Sequence, residues 1–148
     1  MNGVYEKSNS IEKFNVCISS DVRKLFKDLR EECTVTQLGV ERLNNLLSKD
    51  FNVQAPPVNY AGKEPHRADY NGRVKSKKLG NYNLRTYNIN LFKFTAKRNK
   101  ERAAKSVLDT YLHEFVHHLD NVHLGFGASL HTAGFYKRIG WLKCELMK

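Results

Sequence analysis

Apolar residues recur at helical spacing in four stretches of the chain and alternate with polar ones most clearly in a fifth. In "SSDVRKLFKDLREEC", Val22, Leu25, Phe26 and Leu29 share one side of a helix that Ser20 or Asp21 can cap. "TVTQLGVERLNNLLSKDF" repeats the pattern with Leu38, Val40, Leu43, Leu46 and Leu47, which predicts a second helix, or two joined by a short turn, fraying near Asp50. From Asn52 to Phe92 the spacing changes. Pro56-Pro57, Gly62, Gly72 and Gly80, with Tyr60, Tyr70, Tyr82 and Tyr87, mark short strands and turns. "TYNINLF" is the clearest strand, and residues 61–78 read as loop or irregular hairpin. The longest periodic segment spans about Asn99 to Val122, where Ala104, Val107, Leu108, Tyr111, Leu112, Phe115, Val116 and Leu119 form a wide stripe. Asn99 can cap this core helix, Glu101 suits its positive end, and Gly125 and Gly127 mark the chain's departure. In "HTAGFYKRIGWLKCELMK", Phe135, Ile139, Leu142 and Leu146 define a closing helix.

These elements predict one α+β domain over residues 1–148: N-terminal helices, short strands, a core helix and a C-terminal helix. Residues 1–18 are a candidate flexible lead-in. A chain of 148 residues supports a single buried core, and no run approaches the length that crosses a bilayer. With no secretory leader in "MNGVYEKSNSIEKF", the expected location is cytoplasmic and the expected state a monomer. Cys17, Cys33 and Cys144 are odd in number and form no Cys-x-x-Cys pair, so they read as reduced, mostly buried thiols.

The charge balance adds a second theme. Lys and Arg number 25 against 15 Asp and Glu, a formal net charge of +10. Such an excess favours polyanions but reads no bases without a recognition motif. The clusters "RVKSKK" and "KFTAKRNKERAAK" make Arg73, Lys75, Lys77, Lys78, Lys97, Arg98 and Lys100 the candidate contacts to DNA phosphates, competing with a plain role as solvated surface.

The chemistry concentrates in "YLHEFVHHLD", residues 111–120. His113 and His117 are four residues apart, so on a helix their imidazoles stand on one side and can share a metal ion, with zinc the expected one. Glu114 is offset around the helix and reaches a water on the metal rather than the metal itself, the position of a general base.

The helix "LHEFVHHL", the strand "YNINLF" before it and "HTAGFYKRI" after it together resemble the zincin metallopeptidases, and among them the SprT-like domains that include Spartan-type proteases. The resemblance covers roughly Leu46 to Leu142. It implies a zincin-like fold with a small three-stranded mostly antiparallel sheet, one zinc ion bound by His113, His117 and His131, and Glu114 as the base. It also implies a peptide or protein substrate docked along the strand from Tyr87 to Phe92, with Tyr87, Asn88, Ile89 and Asn90 as substrate-binding residues at the sheet edge. The chain departs from the family at Thr132, where many relatives have Gly, and carries no cysteine-rich zinc ribbon.

His123 and Glu145 compete with His131 for the third ligand position. His123 has metzincin spacing, but Asp120 stands where that pattern has Gly. If the helix continues past His117, His123 is carried roughly 9 Å further along its axis and cannot share the metal, which favours His131. His118 is expected to be a partly exposed neighbour and His66 a loop residue, with Tyr136, Tyr111 and His118 as candidates for stabilising an oxyanion. The alternative function is a zinc-stabilised module that binds nucleic acid or protein without catalysis. An intact base beside an open ligand position favours the enzyme.

Overall fold

A computed structural model describes residues 3–62, 66–68, 74–77, 79–95 and 100–148, with 66–68 and 74–77 described by backbone alone. In chain order these hold α1 (Gly3–Ser10), α2 (Ser20–Glu31), α3 (Gln37–Asp50), β1 (Val58–Tyr60), β2 (His66–Ala68), β3 (Val74–Lys77), β4 (Gly80–Tyr82), β5 (Ile89–Leu91), α4 (Ala104–Val122) and α5 (Ala133–Leu146). The domain is α+β, with five helices and a three-stranded mixed sheet among the described residues. None of these helices is long and apolar enough to cross a membrane.

Each N-terminal amphipathic stretch makes a single helix, capped one residue or more before its apolar stripe. Ser19 accepts from the Val22 amide and Thr36 from the Gly39 amide, each satisfying a donor that the first turn leaves unpaired. α4 begins at Ala104, later than its apolar pattern predicts, and Ala103 gives it no side-chain cap. The cause lies just upstream. Glu101 bridges to Phe94, and the Arg102 guanidinium donates to the carbonyls of Leu79 and Phe92 and to the hydroxyl of Thr110, holding this segment extended. The expected cap, Asn99, lies outside the described residues.

The sheet order is β1-β5-β4. β5 runs antiparallel to β4, with Asn81 opposite Asn90, and parallel to β1, with Asn59 opposite Asn90. The sheet is therefore mixed, not mostly antiparallel: a tight turn leads from β4 into β5, and that direction matches β1. The strand expected at the sheet edge is its centre. Its backbone is committed on both sides, and the preceding turn holds Tyr87 in the left-handed region at φ 67°.

β1 is closed on its outer side by Gln37, whose side-chain amide donates to the Val58 carbonyl and accepts from the Tyr60 amide at 2.6 Å. β4 is different. Leu79 and Asn83 bond towards β5, so by antiparallel alternation the backbone groups of Gly80 and Tyr82 point outward. No described strand pairs with that side.

Val107, Leu108, Tyr111, Leu112, Phe115, Val116 and Leu119 of α4 are fully buried against the sheet and the other helices. Each such Leu or Phe contributes about 1.5–3 kcal/mol on burial. The buried Tyr111 hydroxyl donates to Asn44, which donates to the Pro56 carbonyl, so α4, α3 and the approach to β1 are fixed together.

Two further expectations are not met. Residues 3–18 are built into the domain: α1 packs on α5, Ser8 is buried, and Phe14 and Ile18 join the core. The three cysteines are exposed, since each lies off the apolar stripe of its neighbourhood.

Candidate metal centre

α4 carries His113 and His117 on one side, their ring centroids 4.9 Å apart. α4 runs to Val122 without breaking at Asp120. The chain then reverses through Gly125 and Gly127, both at positive φ, where an L side chain would be strained. This return brings His131 to the pair, just ahead of α5, whose cap Thr132 accepts from the Phe135 amide. Ring nitrogens of His113, His117 and His131 all lie within 4.8 Å of one another. Nε2 of His117 and Nε2 of His131 are 3.0 Å apart. A tetrahedral metal ion with bonds of about 2.0–2.1 Å sets its ligand nitrogens about 3.3 Å apart, a spacing that the His117–His131 pair approaches.

Phe135 forms the floor of the cluster. Its ring stacks on His117 at 4.5 Å and meets His113 and His131 edge-on at 5.1 and 5.3 Å. Burial lowers the pKa of His113 and takes that of His117 down to about 3, with neighbouring imidazoles adding to both shifts. The two helical histidines are therefore neutral at physiological pH, as metal ligation requires.

Glu114 is buried and lines the same cavity of about 600 Å³ as the three histidines, without joining their cluster. β4 lines this cavity too, with Leu79 and Leu84 on either side of it in the chain. Gly80 permits this close approach: a Cβ there would stand 2.8 Å from the Asn90 carbonyl oxygen and from the Thr110 methyl, and 3.5 Å from Glu114 Cγ.

His123 ends α4 at the surface, with its ring against Phe14 and Phe51, away from the cluster. The Glu145 carboxylate pairs with Arg23 and Lys148. His118, expected to be partly exposed, is fully buried: Nδ1 meets the Tyr82 hydroxyl at 2.7 Å and Nε2 donates to the Gln54 carbonyl. With Tyr111 engaged by Asn44, two of the three oxyanion candidates are committed elsewhere. Tyr136 alone stands beside the cluster, exposed, its ring stacked on His131 at 6.0 Å.

Of the proposed substrate residues, Ile89 is buried in the core and Asn90 is bonded to Asn81 and Asn59, while Tyr87 packs on His118. The wall of the cavity is β4, whose three residues carry no alternating signal. His66 lies in β2, not in a loop. Arg73, Lys78, Lys97 and Arg98 lie outside the described residues, as do the side chains of Lys75 and Lys77 in β3; Lys100 is exposed.

The pattern reading also missed the residues behind His117. Nδ1 of His117 meets Ser129 Oγ at 2.6 Å, and Ser129 donates to Asp120 Oδ2 at 2.8 Å. Asp120 is fully buried in an ion pair with Arg138 at 2.9 Å. Burial pushes its carboxyl pKa up, while Arg138 and Ser129 pull it down. A charged residue set into each of two apolar stripes was the available signal for this pair.

Compared with known proteins, the chain matches no family model, no curated protein and no solved structure.

Proposed function

We propose that this chain is a zinc-dependent endopeptidase of the zincin kind, in keeping with its resemblance to SprT-like domains. The observation that carries the reading is Glu114, a carboxylate lining the cavity of a three-histidine cluster to which it does not itself belong. A site that used metal only for stability would have no role for a base beside an open ligand position.

His113, His117 and His131 would hold the ion, which when bound lowers the pKa of a coordinated water to about 7. Glu114 takes a proton from the attacking water and returns it to the leaving amine. The outward groups of Gly80 and Tyr82 let an extended peptide add alongside β4, crossing the cavity in front of the base. Tyr136, whose ring stacks on His131, would donate its hydroxyl to the oxygen on which charge develops. The formal charge of +10 supports weak attraction to nucleic acid and hence to proteins bound on it.

The test is hydrolysis of an unfolded protein substrate by zinc-loaded protein. Cleavage should stop with a chelator and fall by about 10²–10⁴-fold in Glu114→Gln, with zinc content unchanged. Zinc-loaded wild type that cleaves nothing, or Glu114→Gln that cleaves at the wild-type rate, would remove the enzyme reading and leave a zinc-stabilised binding module.

A further inference from the structure

We infer that Ser129 and Asp120 are positioning residues that fix His117 in its Nδ1–H tautomer, so that its Nε2 lone pair is aimed into the histidine cluster before any metal arrives. Hydrogen-bond direction carries this, read from the buried end outward. The Arg138 guanidinium has only donors. Its Nε and Nη2 go to the two oxygens of Asp120 at 3.1 and 2.9 Å, and Nη1 goes to the carbonyls of Ser8 and Ile11. Asp120, held in this ion pair with no exposure, is an acceptor, so the 2.8 Å contact with Ser129 uses the serine's single proton.

Ser129 Oγ then has only a lone pair to offer across the 2.6 Å contact with His117 Nδ1. The proton in that contact must belong to the imidazole. Nε2 of His117 is left bare, 3.0 Å from Nε2 of His131. Free histidine favours the opposite tautomer, with its proton on Nε2, which would block ligation until the proton moved. A hydrogen bond at one ring nitrogen decides which form is present. Here that bond is set by a chain of four side chains ending in a guanidinium.

The relay acts through His117, so its expected effect is on metal affinity and ring orientation, where outer partners of a metal-ligating histidine typically count for about 10–100-fold. The inference rests on reading the cluster as a metal site but not on hydrolysis, and its first test needs neither metal nor activity. In metal-free protein, nitrogen-15 NMR of the histidine rings, with His117 assigned by loss of its signal in His117→Gln, should show the Nδ1–H form. Ser129→Ala should shift His117 towards the Nε2–H form and weaken zinc binding by about 10–100-fold, with the melting temperature little changed. Ser129→Thr, which keeps the hydroxyl, should restore both.

Wild-type His117 found as the Nε2–H form, or a Ser129→Ala variant with unchanged tautomer and unchanged zinc affinity, would overturn the inference. If neither protein binds zinc, the metal reading fails separately, while the tautomer of the metal-free protein still decides the relay.

Discussion

Nε2 of His117 and Nε2 of His131 face each other at 3.0 Å across a sequence separation of 14 residues. Two imidazole nitrogens at that distance either share one proton or give their lone pairs to a common cation. The arrangement separates the competing third ligands. His131→Ala should cost most of the zinc affinity, while His123→Ala should leave it nearly intact, because the His123 ring packs on Phe14 and Phe51 instead. Zinc dissociation constants for the two variants, measured side by side, check this. The reverse ranking would put the metal elsewhere.

The metal-free protein should lose stability as the solution is acidified. His113, His117 and His118 all have folded pKa values below the ordinary histidine range, chiefly through burial. Between about pH 7 and pH 5 the unfolded chain therefore takes up protons that the folded chain refuses. The stabilisation is full above the unfolded pKa of about 6.5 and declines as pH falls towards the folded values, which for His117 is about 3. Each such proton contributes a slope of about 1.4 kcal/mol per pH unit. Urea melts at several pH values should give a midpoint that falls with acidity; a flat profile would contradict the burial of these rings.

Gly80→Ala should be destabilising by about 1–3 kcal/mol, the range for overpacking a filled contact. The new methyl would meet a backbone carbonyl and the Thr110 methyl, both at 2.8 Å, and neither is the far end of a flexible chain. β4 must move away from α4, so the variant should also lose peptide affinity beyond what its melting temperature explains. An alanine variant as stable as wild type would mean that β4 sits farther from α4.

DNA binding, if driven by the formal charge of +10, should be weak, independent of sequence and steeply lowered by salt. Fluorescence anisotropy with two unrelated duplexes over a salt series measures it. Equal affinity at low and high salt would rule out phosphate contacts as the cause.

The parts of this site legible in the sequence are those that follow a helical period. The α4 stripe, the His113–His117 pair and the Phe135 anchor are each fixed by neighbours three or four positions away, and such spacing survives in any context. The edge strand was hidden because Gly80–Tyr82 is three residues long and begins with the one residue that leaves no trace of which face it presents. β5 looked like an edge because its alternation is clear, but alternation reports which face is buried and says nothing about which neighbours the backbone has. α1 was invisible for another reason. "GVYEKSNS" has no apolar stripe, and what holds it is a buried polar contact with a residue far along the chain.

That contact has a consequence in time. Ser8 gives its carbonyl and hydroxyl to Arg138 across a sequence separation of 130 residues, and its hydroxyl also meets Thr132 beside His131. During synthesis the segment around Ser8 is made early and must wait for its partner, while α4, with His113, His117 and Glu114, is made before α5. Until α5 closes onto α1, Arg138 lacks the Ser8 and Ile11 acceptors that help bury its charge, and Thr132, next to His131, lacks its contact with Ser8. A growing chain thus carries His113 and His117 before His131 has joined them. The cluster of three histidines is thus a product of tertiary closure and not of α4 alone.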